Sequence, residues 1–294
     1  MNQTVDHRAD PLAPGLYIVS TPIGTARDIT LRALDTLAAA DVLVAEDTRS
    51  LRRLMAIHGI EIGPRPVWSY HDHSPPRDRA RVVDRVRAGQ SVVYAAEAGT
   101  PMVADPGYKL AAEVRAAGGH VTAAPGPSAA IVALTLAGLP TDRFVFMGFP
   151  PPKTGARRRA LEAVAGIDAT LIFYEAPSRV QGLLGEMAQV FGVDREAVVC
   201  RELTKRFEDV RRAPLGALAE TYADAGPKGE CVVLVAPPDL TAQASDADLR
   251  AALAEIGATH GLRDAATEIA ARFGVPRKRV YDLGLVMRRE EKGS

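Results

Sequence analysis

The 294-residue sequence has two cysteines, one tryptophan, no long apolar run and no net charge. Two cysteines cannot form a disulfide framework, and neither has a partner at metal-ligand spacing, so a reducing, cytoplasmic setting is expected. No apolar run approaches the roughly 18 residues of a membrane-spanning helix, and no membrane partner is expected. Residues 1–14 are polar, carry Asp6, Arg8 and Asp10, and lack the apolar core of a signal peptide; they read as a short disordered leader. Phosphate-binding signatures are missing as well. No G-x-G-x-x-G follows the first strand and no G-x-x-x-x-G-K-[ST] occurs, which disfavours NAD enzymes, P-loop NTPases and Rossmann-type methyltransferases. No G-x-S-x-G elbow supports serine catalysis. His71 and His73, with Asp72 between them, lack a third His or Cys at suitable spacing, so no metal is expected.

What remains is an ordinary globular composition, 47% apolar and 24% charged, long enough for one large or two medium domains. Short β-branched runs alternate with amphipathic segments. Leu16–Val19, Val42–Ala45, Val67–Tyr70, Ser91–Ala95 and Val121–Ala123 read as strands. Thr30–Ala39, Ser50–Ile57, Arg77–Arg87 and Tyr108–Ala117 read as helices, the first with Leu31, Leu34 and Leu37 on one face and with Asp28 or Thr30 as its cap. This is α/β with a mainly parallel sheet. After Gly126-Pro127 a second block follows: helix Ala129–Ala137, strand Phe144–Met147, helix Arg157–Ala165, strand Thr170–Tyr174, helix Val180–Val190, strand Val198–Arg201, a polar segment Phe207–Arg212, helix Leu215–Tyr222 and strand Cys231–Ala236. Both cysteines fall in strands and read as packed, inert thiols. Beyond Pro237-Pro238 only helical patterns remain. The expected organisation is a leader (1–14), an N-terminal α/β domain (15–125), a C-terminal α/β domain (126–238), and a linker with a helical tail (239–294).

Chemistry is signalled at the strand ends. Strand one runs into Thr21-Pro22-Ile23-Gly24, strand four into Ala96-Glu97-Ala98-Gly99-Thr100-Pro101, and strand five into Pro125-Gly126-Pro127-Ser128-Ala129. Ligands of open α/β sheets bind at the carboxyl ends of the strands, and small residues admit them close to the backbone. Glu46-Asp47-Thr48-Arg49 follows strand two, either as functional carboxylates or as a cap and salt-bridge turn. Tyr174-Glu175 ends a strand of the second block.

The ordered motifs TPIGTARDITLRAL, AEDTR, SYHDH, AGTPMVADPGY, PGPSA, LAGLPTDRFVFMGFPPPK, FYEAPSR, RELTKRFE and KGECVVLV closely resemble the RsmI-type ribosomal RNA small subunit methyltransferases, from about Gly15 to Val235. The resemblance implies a tetrapyrrole-methylase-like fold: two α/β domains with an interdomain cofactor cleft, plus a small C-terminal helical domain. It implies S-adenosylmethionine as cofactor, a cytidine 2′-hydroxyl of 16S rRNA in the small ribosomal subunit as methyl acceptor, and a homodimer. Several positions depart from the family pattern: Glu97 stands for Asp, Thr25 for Asn, Ser178 for His, and Ser74-Pro75 for an Asn-Glu pair.

By this analogy Ile23, Gly24, Gly99, Thr100, Val103, Ser128, Ala129 and Tyr174 line the cofactor site. Catalytic candidates are Glu46, Asp47 and Glu97, with Glu175 across the cleft. Arg49, Lys153, Arg201 and Lys205 are candidates to hold RNA.

The neutral total hides an uneven distribution: residues 213–271 hold 3 basic and 9 acidic side chains, and residues 272–289 hold 6 and 1. Running into that basic stretch, residues 265–281 have helix-turn-helix spacing, with Gly274 at the turn and Arg277, Lys278 and Arg279 opening the next helix. These three are expected to grip RNA backbone. Two alternatives stand beside the RNA reading: a small-molecule tetrapyrrole (precorrin-like) methyltransferase, and a helix-turn-helix DNA-binding regulator with a ligand-sensing α/β body.

Overall fold

The computed structural model describes residues 10–71, 74–103, 107–224, 226–239, 245–256, 261–273 and 275–292; Asp72, His73, Gly274 and residues 1–9 of the expected leader lie outside the described residues. These fall into two compact units, one reaching Ala165 and resuming over Ala169–Ala236, the other comprising Gly166–Asp168 and Pro237–Ser294.

The first unit contains two five-stranded sheets. In the first sheet β1 (Gly15–Val19), β2 (Val42–Ala45), β3 (Val67–Ser69), β4 (Ser91–Ala95) and β5 (Val121–Ala124) are all parallel, in the order β3-β2-β4-β1-β5. A parallel sheet is buried on both faces, and β2 and β4 are buried at every residue. Helices α1 (Leu31–Ala39) and α2 (Thr48–Ile57) bury Leu34, Leu37, Leu51 and Met55 in one cluster. Helices α3 (Pro76–Arg87) and α4 (Tyr108–Ala116) bury Val82, Val86, Leu110 and Val114 in another. Thr30 is the cap of α1, its side chain accepting from the Ala33 N–H. Leu31 does not share the buried face: as the first helical residue it is 67% exposed.

The strand order places β1 between β4 and β5. The three small-residue turns that follow these strands therefore emerge side by side. Thr21 and Gly99 join two of them directly, through N–H···O bonds of 2.9 and 3.0 Å.

The second sheet runs β6 (Phe144–Gly148), β7 (Thr170–Glu175), β10 (Cys231–Val235), β8 (Glu196–Arg201), β9 (Asp209–Pro214). Only β6 and β7 are parallel; the other three pairings are antiparallel, so the expectation of a mainly parallel arrangement holds for the first sheet alone. Strand β9 was read from sequence as a polar segment. It is an edge strand, paired only with β8, whose exposed arginines leave no apolar alternation to detect. Helix α5 (Ala129–Ala137) covers one face, where Ala133, Leu134 and Ala137 pack with Ile172, Val198 and Leu234. Ile23, from the first lobe, is buried in the same cluster. By strand alternation Ile172 and Tyr174 share this face, and Leu171, Phe173 and Glu175 lie on the other. Helices α6 (Thr154–Glu162), α7 (Pro177–Phe191) and α8 (Leu215–Thr221) complete the lobe, α7 burying Val180, Leu183, Leu184 and Met187.

The second unit holds α9 (Asp246–Ile256), α10 (Leu262–Phe273) and α11 (Arg277–Lys292) around Leu249, Leu253, Ala266, Ile269, Val275 and Val280. Among the described residues, no helix is long and apolar enough to cross a membrane.

Candidate active site

A cavity of about 280 Å³ opens where the turns after β1, β4 and β5 face the end of β7. Ile23, Gly99, Thr100, Val103, Ser128, Ala129 and Tyr174 all border it, so the structure brings together seven of the eight residues assigned to the cofactor. Gly24 stands apart. It packs against the second lobe, where an added Cβ would come within 2.6 Å of the Lys205 Cγ and Thr204 Oγ1. Ala98, Phe149, Leu203, Glu230, Cys231 and Val232 also line the cavity and were not singled out from sequence. Ala98 belongs to the turn that holds Gly99, Phe149 follows β6 beside β7, the pairing of β10 with β7 brings Glu230, Cys231 and Val232, and Leu203 packs in one cluster with Ile23.

The walls are held by backbone and by short side chains. Gly99 has φ +79 and uses both its N–H and its carbonyl on Thr21. The Thr100 hydroxyl donates to the Pro127 carbonyl at 2.9 Å, which ties the β4 and β5 turns. From the second lobe, the Tyr174 hydroxyl accepts the Ala130 N–H at 3.0 Å. Thr25 bonds Thr204 twice, donating its N–H to the Thr204 hydroxyl and its own hydroxyl to the Thr204 carbonyl. Among the described residues, three non-glycine residues adopt left-handed backbone, Met102 (φ 70), Glu202 (φ 50) and Thr204 (φ 63), and all lie in the loops around this cavity. Such conformations cost free energy and persist where the surroundings impose them, typically at ligand sites.

The charged candidates take different places. The Asp47 carboxylate caps α2, accepting the Arg49 N–H at 2.8 Å, and that bond, with the Arg49 side chain, holds its pKa below the ordinary carboxylate value. Glu46 accepts the Glu97 N–H at 3.4 Å, and Glu97 is exposed. Neither Glu46, Asp47 nor Glu97 borders the cavity. Glu175 borders it as a residue, but its side chain is fully buried and turned away. One oxygen accepts from the Ala176 N–H and pairs with Arg179 at 2.6 Å; the other is buried without a hydrogen-bond partner. As folded, this carboxylate is buried and engaged by Ala176 and Arg179 rather than open to solvent. The cause is the alternation that points Tyr174 into the cavity and Glu175 to the opposite face.

Lys205 is held by Glu202 at 2.9 Å and by Glu230 at 3.1 Å. Burial works against its charge, yet the hydrogen bonds to the two glutamates outweigh it and raise the pKa. The hydrogen bond from Lys205 likewise lowers the pKa of Glu202. A lysine neutralised by two carboxylates is poorly disposed to bind phosphate. Arg201 lies 3.8 Å from Asp209 and donates to the Lys228 carbonyl. Arg49 and Lys153 are exposed. In the second unit Arg277 and Lys278 are exposed, and Arg279 pairs with Asp246 at 2.8 Å. Among the described residues, no three His, Cys, Asp or Glu side chains converge as a metal site.

Burial pushes the Cys231 thiol up to about 11 and the Cys200 thiol up to about 12. Only the thiolate is a competent nucleophile, so at pH 8 both are inert. The expected result with Ellman's reagent is no labelling of the folded protein and two thiols released on unfolding. Rapid labelling in buffer would mean that the cavity floor opens.

Comparison with known proteins places these features. The family model for tetrapyrrole (corrin/porphyrin) methylases matches residues 15–219, and that for the RsmI C-terminal HTH domain matches residues 243–288. The ribosomal RNA small subunit methyltransferase I of Mesorhizobium japonicum is 45% identical over 274 residues, covering 93% of this chain and 92% of that protein. The protein of the same name from Escherichia coli O157:H7 is 40% identical over 279 residues, covering 94% and 96%. Among solved structures, diphthine synthase aligns with a TM-score of 0.58 at 19% identity, over 75% of this chain and 89% of that one. The uroporphyrin-III C-methyltransferase of Thermus thermophilus, complexed with S-adenosyl homocysteine, aligns with a TM-score of 0.52 at 18% identity, over 76% and 97%. The structural likenesses establish the fold, and the sequence identities establish the branch. The chain belongs to the tetrapyrrole methylase family and, within it, to the ribosomal RNA small subunit methyltransferase I group.

Proposed function

We propose that this protein transfers the methyl group of S-adenosylmethionine to the 2′-hydroxyl of a cytidine in 16S rRNA of the small ribosomal subunit. The observation that carries this reading is identity of 40–45% across nearly the whole chain, the helix-turn-helix unit included, with proteins named for methylation of small-subunit rRNA. That identity disfavours both a porphyrinoid substrate and a DNA-binding regulator. The cavity suits the cofactor. Its walls of Gly99, Thr100, Ser128 and Ala129 leave room at the backbone, its apolar floor of Leu203 and Val232 suits an adenosyl group, and no phosphate cradle is required.

S-adenosylmethionine supplies a methyl on a cationic sulfonium with a good leaving thioether. The chain's task is therefore mainly alignment of the accepting oxygen with that methyl, a contribution of several kcal/mol when reactants are held in register. The Tyr174 ring, fixed through Ala130, and the carboxylate of Glu230 border the cavity and favour a cation there. A base acting on the 2′-hydroxyl adds typically ~10²–10⁴-fold. Glu97 is the exposed candidate, with Glu46 bound to its backbone, and Asp47 acts through its cap on α2. Arg277 and Lys278 of α11, with Arg49, Lys153 and Arg201, are proposed to contact rRNA phosphate. A homodimer in the cytoplasm completes the reading.

The test is mass mapping of 16S rRNA from cells with and without the protein. The expected result is loss of one 2′-O-methylcytidine, restored by the wild-type chain and reduced with Glu97→Ala. Unchanged 16S rRNA refutes the assignment.

A further inference from the structure

Three features of the second lobe converge on one exposed aromatic side chain. Strand β6 lies at a sheet edge, paired only with β7, and its register shifts between Phe146 and Gly148. Gly148 takes a left-handed backbone, φ 64, that glycine adopts without steric cost. Bulges of this kind bend a strand and re-aim the side chains beside it. The chain then enters Pro150-Pro151-Pro152, whose rings fix φ, and Pro150 is buried.

Between the bulge and the prolines stands Phe149. Its side chain borders the cavity yet is 55% exposed, so it sits at the rim. It meets Tyr174 edge-on, with ring centroids 5.6 Å apart and planes at 66°. Tyr174 is itself pinned by Phe146, at 4.9 Å and 70°, and by the Ala130 N–H. The apolar residues beneath, Leu203, Cys231 and Val232, are buried, whereas Phe149 forgoes the free energy that burial would give it. A ring that rests edge-on against a pinned tyrosine and is presented to solvent beside a ligand cavity is arranged to receive a flat partner.

We infer that Phe149 is the wall of a nucleobase subsite at the rim of the cavity, on which the base of the target nucleotide stacks during methyl transfer. The inference rests on the function proposed above. A 2′-hydroxyl inside folded RNA reaches a recessed methyl only when its nucleotide leaves the surrounding stack, and the unstacked base needs a surface to lie on. Aromatic rings supply that surface for any base, because every base has a π-face. The subsite thus positions the ribose and leaves base identity to other contacts.

The experiment compares wild type with Phe149→Ala, Phe149→Leu and Phe149→Trp in two measurements. One is the affinity for S-adenosylhomocysteine without RNA; the other is kcat and KM for small ribosomal subunits lacking the modification. The expected result is a loss in kcat/KM of about 10- to 100-fold for the alanine and leucine variants, with near wild-type transfer for tryptophan and cofactor affinity within about twofold throughout. Cofactor affinity falling in step with transfer would assign the ring to the adenine and overturn the inference. So would leucine performing as well as tryptophan, or alanine transferring at the wild-type rate. If wild type itself leaves the subunits unmethylated, the proposed function fails and takes the subsite with it, an outcome that the variants alone never produce.

Discussion

Replacing Gly99 with valine is expected to abolish methyl transfer, with affinity for S-adenosylhomocysteine lowered by at least ~100-fold, a loss of about 2.7 kcal/mol. Two costs add. The backbone at Gly99 has φ +79 and is locked there by paired hydrogen bonds to Thr21, so a β-branched residue must accept a conformation that costs roughly 1–3 kcal/mol. A Cβ at this position would also stand 3.3 Å from the Ile23 Cγ2 and 3.7 Å from the Pro127 carbonyl oxygen. Ile23 cannot retreat freely, because it is buried among Ala130, Leu134 and Leu203 of the second lobe. The valine methyls are therefore forced toward the space between the lobes. Alanine adds only the Cβ and is expected to show an intermediate loss. Titration calorimetry with S-adenosylhomocysteine reads the effect directly, and wild-type affinity in the valine variant would show that this cavity is not the cofactor's.

The reason Gly99 was visible in the sequence is local. Small residues directly after a β-branched run mark a strand end, and the strand order, with β1 between β4 and β5, gathers three such ends into one crevice. Residues that act through alternation or pairing were harder to read. Tyr174 and Glu175 are adjacent in FYEAPSR and both border the cavity, yet the Glu175 carboxylate is fully buried and paired with Arg179. Had the period of TLIFYE been followed to its end, Glu175 would have been placed opposite Tyr174. The ion pairs of Lys205 are only half legible: Glu202 is three residues away in RELTK, whereas Glu230 is 25 residues away and arrives through the β10–β8 pairing. Phe149 lies in the motif LAGLPTDRFVFMGFPPPK, but its place at the cavity rim is not legible there, since its exposure follows from a bulge and a proline run rather than from its neighbours' polarity. Leu31 misled for the opposite reason: helical spacing groups it with Leu34 and Leu37, but as the first residue of α1 it is exposed while they are buried.

The largest expected effect on stability lies behind the cavity, at Arg157. Its guanidinium grips Glu186 with both prongs, at 2.9 Å from Nε and 2.7 Å from Nη2, with only 9% and 12% of the two side chains exposed. The hydrogen bonds to Glu186 raise the Arg157 pKa against the opposing effect of burial, and Glu175 adds a smaller attraction. Arg157, Arg179, Glu175 and Glu186 thus form a set of two cations and two carboxylates. Arg157→Met removes one cation, leaving Glu186 half-desolvated and Glu175 with Arg179 alone. Breaking such a pair from one side costs about 3–5 kcal/mol, whereas replacing both members by apolar residues of similar size is often neutral or better. The single variant is therefore expected to unfold at markedly lower denaturant concentration, and the double variant Arg157→Met, Glu186→Leu to recover most of the loss. Failure of the double variant to recover would mean that the arginine acts through Glu175 instead. In that case the loss would be accompanied by weaker binding of S-adenosylhomocysteine, because Glu175 anchors the turn through Ala176 and Pro177 that borders the cavity. The double-mutant cycle, read with the binding titration, separates the energy of the buried pair from its hold on the site.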